Sequence, residues 1–293
     1  MVCAELFFKS PHHKLKLPGS NYHRFPTSLR ACVQNVLAET WNMKLPFQST
    51  SPASLAASLL IRELGAFLPS YRFIDFCSGS GGPTPFIERA VNNHLAANKL
   101  PPVDFVLTDL YPHIDAWHEI THHNPHITYE SRSVDASQAP IELLRRGSGK
   151  QVMRLFSLAF HHFDDELARK ILRDTVETSE GFAIFELQDR SFSSFVADSL
   201  LPLGVVLAAP FYAQKWKSLA LFVFTWLIPI LPLVLFWDGY VSSLRTRDPD
   251  EVEVLLRTCG ADTSEWVMVS GSEVFLWPFG QLNWIICKPM ERA

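Results

Sequence analysis

The sequence predicts an α/β fold, with a mostly parallel sheet that helices cover on both faces. Short, continuously apolar runs alternate with amphipathic segments, which is typical of buried parallel strands joined by helices. The first run ends in Asp75, followed by a loop of small residues at 77–82 and then by Pro83 and Pro85. This order predicts a strand, a tight turn and a helix N-terminus, where backbone N–H groups face a ligand.

The same alternation continues along the chain. We predict strands at 103–107, 127–131, 152–160 and 182–187, and helices at 85–97, 112–122, 138–145 and 164–178. Polar residues close these strands: Asp109, Asp135, His161 and, in the fifth strand, Glu186. Because the carboxyl ends of parallel strands meet at one edge of a sheet, where ligands bind, we expect the two aspartates and the histidine to share one crevice with Asp75.

These features resemble the class I S-adenosylmethionine-dependent methyltransferases, over residues 70–190 and 249–288. The resemblance implies a seven-stranded, mostly parallel Rossmann-like methyltransferase sheet that ends in an antiparallel hairpin. In this chain, residues 266–270 and 282–288 supply the hairpin, after a helix at 249–259. The resemblance also implies that S-adenosyl-L-methionine is the cofactor.

The resemblance further implies where the cofactor binds. The glycine loop wraps the methionine part, the acid after the second strand holds the ribose hydroxyls, and the acid after the third strand contacts the adenine amine. In one respect the chain departs from the family, which usually has glycine where Cys77 stands. The predicted cofactor-binding residues are Asp75, Cys77, Gly79, Gly81, Asp109, Asp135 and Ala136.

A dinucleotide-dependent oxidoreductase is the nearest alternative for the glycine loop. The nicotinamide fingerprint is G-x-G-x-x-G at the start of a helix. Gly79 and Gly81 match its first half, but Thr84 stands where the third glycine belongs. This substitution and the antiparallel final pair of strands both favour the methyl donor.

His161 and His162 are the candidate catalytic residues, at the end of the fourth strand. A neutral imidazole can take a proton from a hydroxyl or an amine during methyl transfer. Two alternatives stay open: one histidine only bonds the adjacent turn, or alignment of the reactants alone supplies the rate. Phe160 and Phe163 are predicted to wall the substrate pocket.

Residues 191–247 form a predicted hydrophobic helical insert between the fifth and sixth strands. The uncharged run at 218–237 is long enough to cross a bilayer. A single span is excluded, because strands of the same sheet precede and follow the insert in sequence. Both ends of the insert must therefore lie on the same side of any membrane. We therefore expect a lid over the acceptor pocket, bent at Pro229 and Pro232, with peripheral or re-entrant membrane contact through 199–237. Asp238 and Arg245, which follow this run, are predicted to pair with each other or to contact the substrate.

The first part of the chain, residues 1–69, is predicted to be a helical cap on the methyltransferase domain 70–293. Helices are expected at 26–41 and 52–67, and Ser51 is expected to cap the second. These helices either cover the cofactor crevice or pack on the edge of the sheet.

Composition narrows the class of protein. The net charge of −4 argues against a nucleic-acid partner, and five scattered cysteines fit a reducing, intracellular compartment. The run from His118 to His122 matches the H-E-x-x-H motif of zinc peptidases, but it lies on a predicted surface helix. We interpret it as a solvated helix and predict no metal site.

The predicted function is methyl transfer to a small or lipid-like apolar acceptor, such as a secondary metabolite, at oxygen, nitrogen or carbon. One alternative is a methyltransferase-like cyclase or isomerase that uses the cofactor without transfer. The other is a non-catalytic, membrane-associated protein with a vestigial cofactor crevice, for which Cys77 is the only support.

Overall fold

The computed structural model describes residues 27–44, 48, 50–145 and 149–290. Seven strands form one sheet, in the order β3-β2-β1-β4-β5-β7-β6. The strands are β1 (Tyr71–Phe76), β2 (Phe105–Leu107), β3 (Ile127–Tyr129), β4 (Gln151–Ser157), β5 (Phe182–Glu186), β6 (Trp266–Leu276) and β7 (Gly280–Pro289).

Helices connect the strands and precede the sheet. Short 3₁₀ turns lie at Gly65–Ser70 and Phe160–His162, and a π-helical turn lies at Val223–Leu227. The α-helices are α1 (Thr27–Asn42), α2 (Pro52–Leu64), α3 (Thr84–Ala97), α4 (Ile114–His123), α5 (Ile141–Arg145), α6 (Asp165–Thr178), α7 (Phe192–Lys215), α8 (Leu219–Phe222), α9 (Ile230–Arg245) and α10 (Pro249–Arg257).

The predicted fold class is confirmed. Strands β1 to β5 are parallel, and β7 lies antiparallel between β5 and β6. The chain runs from β1 outward to β3 and then returns to place β4 on the other side of β1. This reversal is a topological switch point, beyond which ligands bind in open α/β sheets.

Both faces of the sheet are buried, as continuously apolar strands require. All six residues of β1 are buried. On one face, the strands pack against Leu60 of α2, Val91 of α3 and Trp117 of α4. On the other face, they pack against Leu172 of α6 and Leu256 of α10.

Local sequence signals fix the helices that flank the candidate site. The Asp164 carboxylate accepts a hydrogen bond from the Leu167 N–H at 2.9 Å and caps α6. At the start of α10, Asp248 and Glu251 form a reciprocal capping box. A cap of this kind stabilises a helix by about 1 kcal/mol, so both helix starts are well defined.

The fourth strand ends earlier than predicted. It stops at Ser157, and His161 and His162 lie beyond it on a 3₁₀ turn. Leu158 has a φ of 50°, which is incompatible with a continuing strand. The hairpin strands β6 and β7 are longer than predicted but pair as expected.

The insert is mainly helical, and the predicted bend is present at Pro229. The predicted bend at Pro232 is wrong, because Pro232 lies in the first turn of α9, where a proline needs no N–H partner. The segments Leu219–Leu227 and Ile230–Arg245 meet at 80°, with Pro229 between them. Helix Phe192–Lys215 is long and apolar enough to cross a membrane by length and composition alone. The insert packs on α1, where Leu29 and Val36 join Val205 and Leu231 in a third apolar cluster.

Candidate cofactor crevice and acceptor cavities

The loop after β1 is a tight turn with left-handed backbone. Gly79, Gly81 and Gly82 have φ values of 53°, 108° and 46°. Cys77 has a φ of 60°, so it keeps the backbone conformation for which glycine is the usual residue. In a residue with a Cβ, this conformation costs roughly 1–2 kcal/mol. The turn is therefore retained at Cys77 despite its side chain.

Gly79 connects the loop to the end of β2. Its N–H donates to Oδ2 of Asp109 at 2.9 Å, and its carbonyl accepts from Nε1 of Trp117 at 2.9 Å. The other oxygen of Asp109 accepts from the Tyr111 N–H at 2.8 Å. The structure thus brings together Gly79 and Asp109, two of the predicted cofactor residues.

Gly81 has a packing role of its own. A Cβ at Gly81 would collide with Cδ1 of Ile120 on α4, whereas a Cβ at Gly82 would meet nothing within 4 Å. The close approach of α4 to the loop therefore requires glycine at position 81. At position 82 the loop has free space beside its backbone.

Asp75 is a buried carboxyl group at the end of β1. Its Oδ2 accepts from Oγ1 of Thr84 at 2.5 Å, while Oδ1 is buried without a partner among the described residues. Burial, reinforced by the charge of Asp109, raises the pKa of Asp75 to about 8, although the Thr84 bond opposes this. The group is therefore mainly protonated at neutral pH.

Asp135 and Ala136 follow β3 as predicted. Asp135 is exposed, and its Oδ1 accepts from the Ser137 N–H at 2.8 Å and the Ser137 hydroxyl at 2.7 Å. Ala136 is buried, and its carbonyl accepts from the guanidinium of Arg154 at 3.3 Å. Asp135 is thus the most accessible of the three predicted acids.

Cys77 lies in an acidic part of the sheet edge. Burial raises the pKa of the Cys77 thiol, and the charges of Asp109, Asp75 and Asp135 raise it further. The thiol is kept protonated there and is not a nucleophile.

Two polar residues near this edge were not predicted. Gln34 on α1 is 9% exposed and its Nε2 lacks a partner among the described residues, while a Cβ at Gly79 would lie 3.9 Å from that atom. At the end of β4, Oγ of Ser157 is likewise buried without a described partner. With Oδ1 of Asp75, these atoms form a set of unused donors and acceptors at the switch point. No local sequence pattern signals a residue 45 positions upstream of the loop it contacts.

His161 is held by an acid from the next strand. Its Nδ1 lies 2.8 Å from Oε2 of Glu186, and its Nε2 has no hydrogen-bond partner in the described part of the chain. His161 and Glu186 are 3% and 4% exposed. The ring of His162 packs 4.1 Å from that of His161, and burial, His161 and Arg245 lower the pKa of His162 well below its ordinary value.

Two cavities adjoin His161. The larger, about 650 Å³, is also lined by Phe163 and Arg245, and the smaller, about 400 Å³, by Phe160 and Glu186. Neither cavity is lined by Asp75, Asp109 or Asp135. The cavities therefore lie near the ends of β4 and β5, beside the part of the sheet edge that carries the glycine loop.

The predicted ion pair between Asp238 and Arg245 is wrong. No salt bridge within 4 Å joins these two described residues, and Asp238 lines neither cavity. The two residues are seven positions apart on α9, which is about two helical turns. Side chains that pair along a helix are three or four positions apart, so these two are too far apart to pair. Arg245 instead faces the larger cavity.

The H-E-x-x-H motif has no metal-binding geometry. Glu119 lies 3.0 Å from Nε2 of His123, and both side chains are exposed on α4. Among residues that the structure describes, no group of three or more His, Cys, Asp or Glu side chains is arranged to hold a metal ion.

No protein-family model and no curated protein matches this sequence. Solved structures align with it at low sequence identity and with TM-scores below 0.5. A SAM-dependent methyltransferase from Anabaena variabilis is 15% identical, with 89% of this chain and 95% of that chain covered and a TM-score of 0.43. The trans-methyltransferase CalH in complex with SAH is 18% identical, with 81% and 57% covered and a TM-score of 0.45. Human N-acetylserotonin methyltransferase in complex with SAM is 11% identical, with 92% and 68% covered and a TM-score of 0.39.

Proposed function

We propose that this chain is an S-adenosylmethionine-dependent methyltransferase that acts on an apolar acceptor. The observation that carries the proposal is the 2.9 Å hydrogen bond between Gly79 of the glycine loop and Asp109 after β2, beside Asp75 of β1, at the switch point of a sheet whose β7 is antiparallel. A fold alone does not imply a function. Here the polar atoms at the site also fit the cofactor.

The fit rests on groups that have unused hydrogen-bonding capacity. Oδ1 of Asp75 can accept from the ammonium of the methionine part, and exposed Asp135 can accept from the adenine amine. Asp109 stands where the ribose hydroxyls are bound in the resembled family, although backbone N–H groups already donate to both its oxygens. The open side of Gly82 leaves room for a ligand against the backbone. When bound, the cofactor supplies an electrophilic methyl group.

His161 is the proposed general base. A carboxylate at Glu186 favours the tautomer with the proton on Nδ1, which leaves the Nε2 lone pair free. Nε2 then takes the proton from an acceptor hydroxyl or amine as its oxygen or nitrogen is methylated. His162, whose pKa is lowered, is proposed as a neutral neighbour that packs against the base.

The acceptor is proposed to bind in the cavities beside His161. Phe160 and Phe163 are part of an edge-to-face aromatic group with Phe156, which gives an apolar wall. Arg245 adds a cation that makes no hydrogen bond or ion pair with other described residues. The larger cavity is also lined by charged residues such as Asp164, Arg169 and Glu251, so it suits a polar or charged end of the acceptor. The smaller cavity, lined also by Ile184, Trp284 and Ile285, suits the apolar part.

We also propose that the insert rests on a membrane surface. Phe192 and Leu207 are each 80% exposed, and Leu219 is 75% exposed. Each such side chain forgoes roughly 1.5–3 kcal/mol of burial when it faces water. Trp226 and Trp237 lie on the same insert and are half exposed, as interfacial anchors are. A lipid-like acceptor would then reach the site from this surface.

Binding and product mass together test the proposed function. Calorimetry should detect S-adenosylmethionine binding, and Asp109→Ala should weaken it. An acceptor incubated with enzyme and cofactor should gain the mass of one CH₂, whereas an isomerase would leave the mass unchanged. Lack of binding to both S-adenosylmethionine and S-adenosylhomocysteine would contradict the proposal and favour a vestigial crevice.

A further inference from the structure

We propose that Gln34 of α1 binds the carboxylate of the cofactor's methionine part; this inference rests on the proposed function. Gln34 is more than nine-tenths buried, yet its Nε2 donates to no described group. A buried amide N–H without a partner destabilises the folded protein unless a partner is supplied. A ligand that accepts from Nε2 would remove that cost.

The amide lies beside the glycine loop, which the resemblance assigns to the methionine part of the cofactor. Nε2 of Gln34 lies 3.9 Å from a Cβ built on Gly79. The N–H of Gly79 is already used by Asp109, so the loop cannot offer it to a carboxylate. Because the Asp109 carboxylate would repel a second carboxylate, a neutral donor such as the Gln34 amide suits this position.

The insert holds this donor in place. Leu29, Cys32 and Val36 of α1 are buried against the apolar cluster of the insert. Gln34 lies between these positions in sequence and on another side of the helix, since its amide approaches the glycine loop. The helix therefore joins the insert to the cofactor crevice, and packing rather than hydrogen bonding sets the position of the amide.

The test compares two ligands that differ in the amino-acid part and in the charge on sulfur. S-adenosylmethionine carries the carboxylate, and 5′-methylthioadenosine lacks the whole amino-acid part. Gln34→Leu removes the donor at similar volume, and it should weaken S-adenosylmethionine binding roughly tenfold or more while leaving 5′-methylthioadenosine affinity unchanged. Asn35→Ala, an exposed position on the same helix, is the matched control and should change neither.

Stability provides a second readout. Because Gln34→Leu removes an unsatisfied buried amide, the unliganded variant should unfold at the same temperature as the unsubstituted protein or higher. Gln34→Asn, which shortens the amide, should show the same ligand-selective loss if Gln34→Leu does not fold. If Gln34→Leu lost affinity equally for both ligands, or for neither, the inference would be overturned. The proposed function would still stand in that case, provided that the wild-type protein binds S-adenosylmethionine. Failure of the wild-type protein to bind either ligand would overturn both.

Discussion

Nδ1 of His161 and Oε2 of Glu186 lie 2.8 Å apart, which joins the turn after β4 to the last residue of β5. The backbone N–H of His161 also donates to Oε1 of the same carboxylate at 3.3 Å. Two contacts to one carboxylate fix both the ring and the turn that carries it. The imidazole is thereby oriented by an element separate from its own strand.

This pairing predicts a graded loss of activity. His161→Ala should lower kcat by roughly 10²–10⁴-fold, the usual contribution of a general base. Glu186→Gln, which keeps the shape but not the charge, should lower kcat less, with cofactor affinity unchanged in both variants. His162→Ala is the control for ring packing. A loss below threefold in His161→Ala, measured in steady-state and single-turnover assays, would mean that alignment alone supplies the rate.

Asp75 predicts a pH dependence of stability. Its pKa is about 8 in the folded protein and near the ordinary 3.8 when unfolded. Between these values the folded state holds more protons, so stability should be greatest below pH 4 for this group and fall as pH rises toward 8. The slope is at most about 1.4 kcal/mol per pH unit.

Asp75→Asn tests this dependence. Asparagine keeps an oxygen for the Thr84 hydroxyl but does not titrate. Urea denaturation at pH 5, 6.5 and 8 should show that the variant gains stability relative to the wild type as pH increases. Parallel stability curves for the two proteins would refute the raised pKa.

The strands and the acids at their ends were predictable because both follow from local pattern. Apolar runs identify parallel strands, and the carboxyl ends of such strands meet at one edge, so Asp75, Asp109 and Asp135 follow from strand positions alone. Gln34 and the role of Glu186 were not predictable in this way. Gln34 is distant in the chain from the glycine loop, as Glu186 is from His161, and amphipathic spacing in α1 indicates burial without indicating what its polar residues face.

Gly81 and Gly82 predict a contrast within one loop. Gly81→Ala combines a φ of 108° with a collision against Ile120, so it should cost about 2–4 kcal/mol of unfolding free energy. Gly82→Ala meets no neighbour and should cost only the conformational part, about 1 kcal/mol. Equal losses of unfolding free energy, measured by chemical denaturation, would show that the collision with Ile120 on α4 does not determine the cost of Gly81→Ala.

Arg154 predicts a large effect from a residue outside the site. Its guanidinium is fully buried on β4 and pairs with Asp174 at 2.8 Å, with further bonds to Ser179 and Thr178. Asp174→Ala would leave that cation without its charge partner and should cost about 3–5 kcal/mol. Glu177→Ala breaks an exposed pair on the same helix and should cost less than about 1 kcal/mol. Similar denaturation midpoints for the two variants would contradict the assigned role of the buried pair.

The exposed apolar face of the insert predicts membrane association that a single charge can weaken. Leu207 in the insert and Trp277 in the β6–β7 turn are each 80% exposed, so they are matched in accessibility but not in location. Leu207→Asp should reduce binding to phospholipid vesicles roughly tenfold or more, because the transfer of that side chain into lipid is lost. Trp277→Asp should leave vesicle binding unchanged. Cosedimentation with vesicles measures the binding of both variants. Equal losses of binding would locate the membrane contact on another surface. If the wild-type protein did not bind vesicles, protein or substrate would cover this face instead.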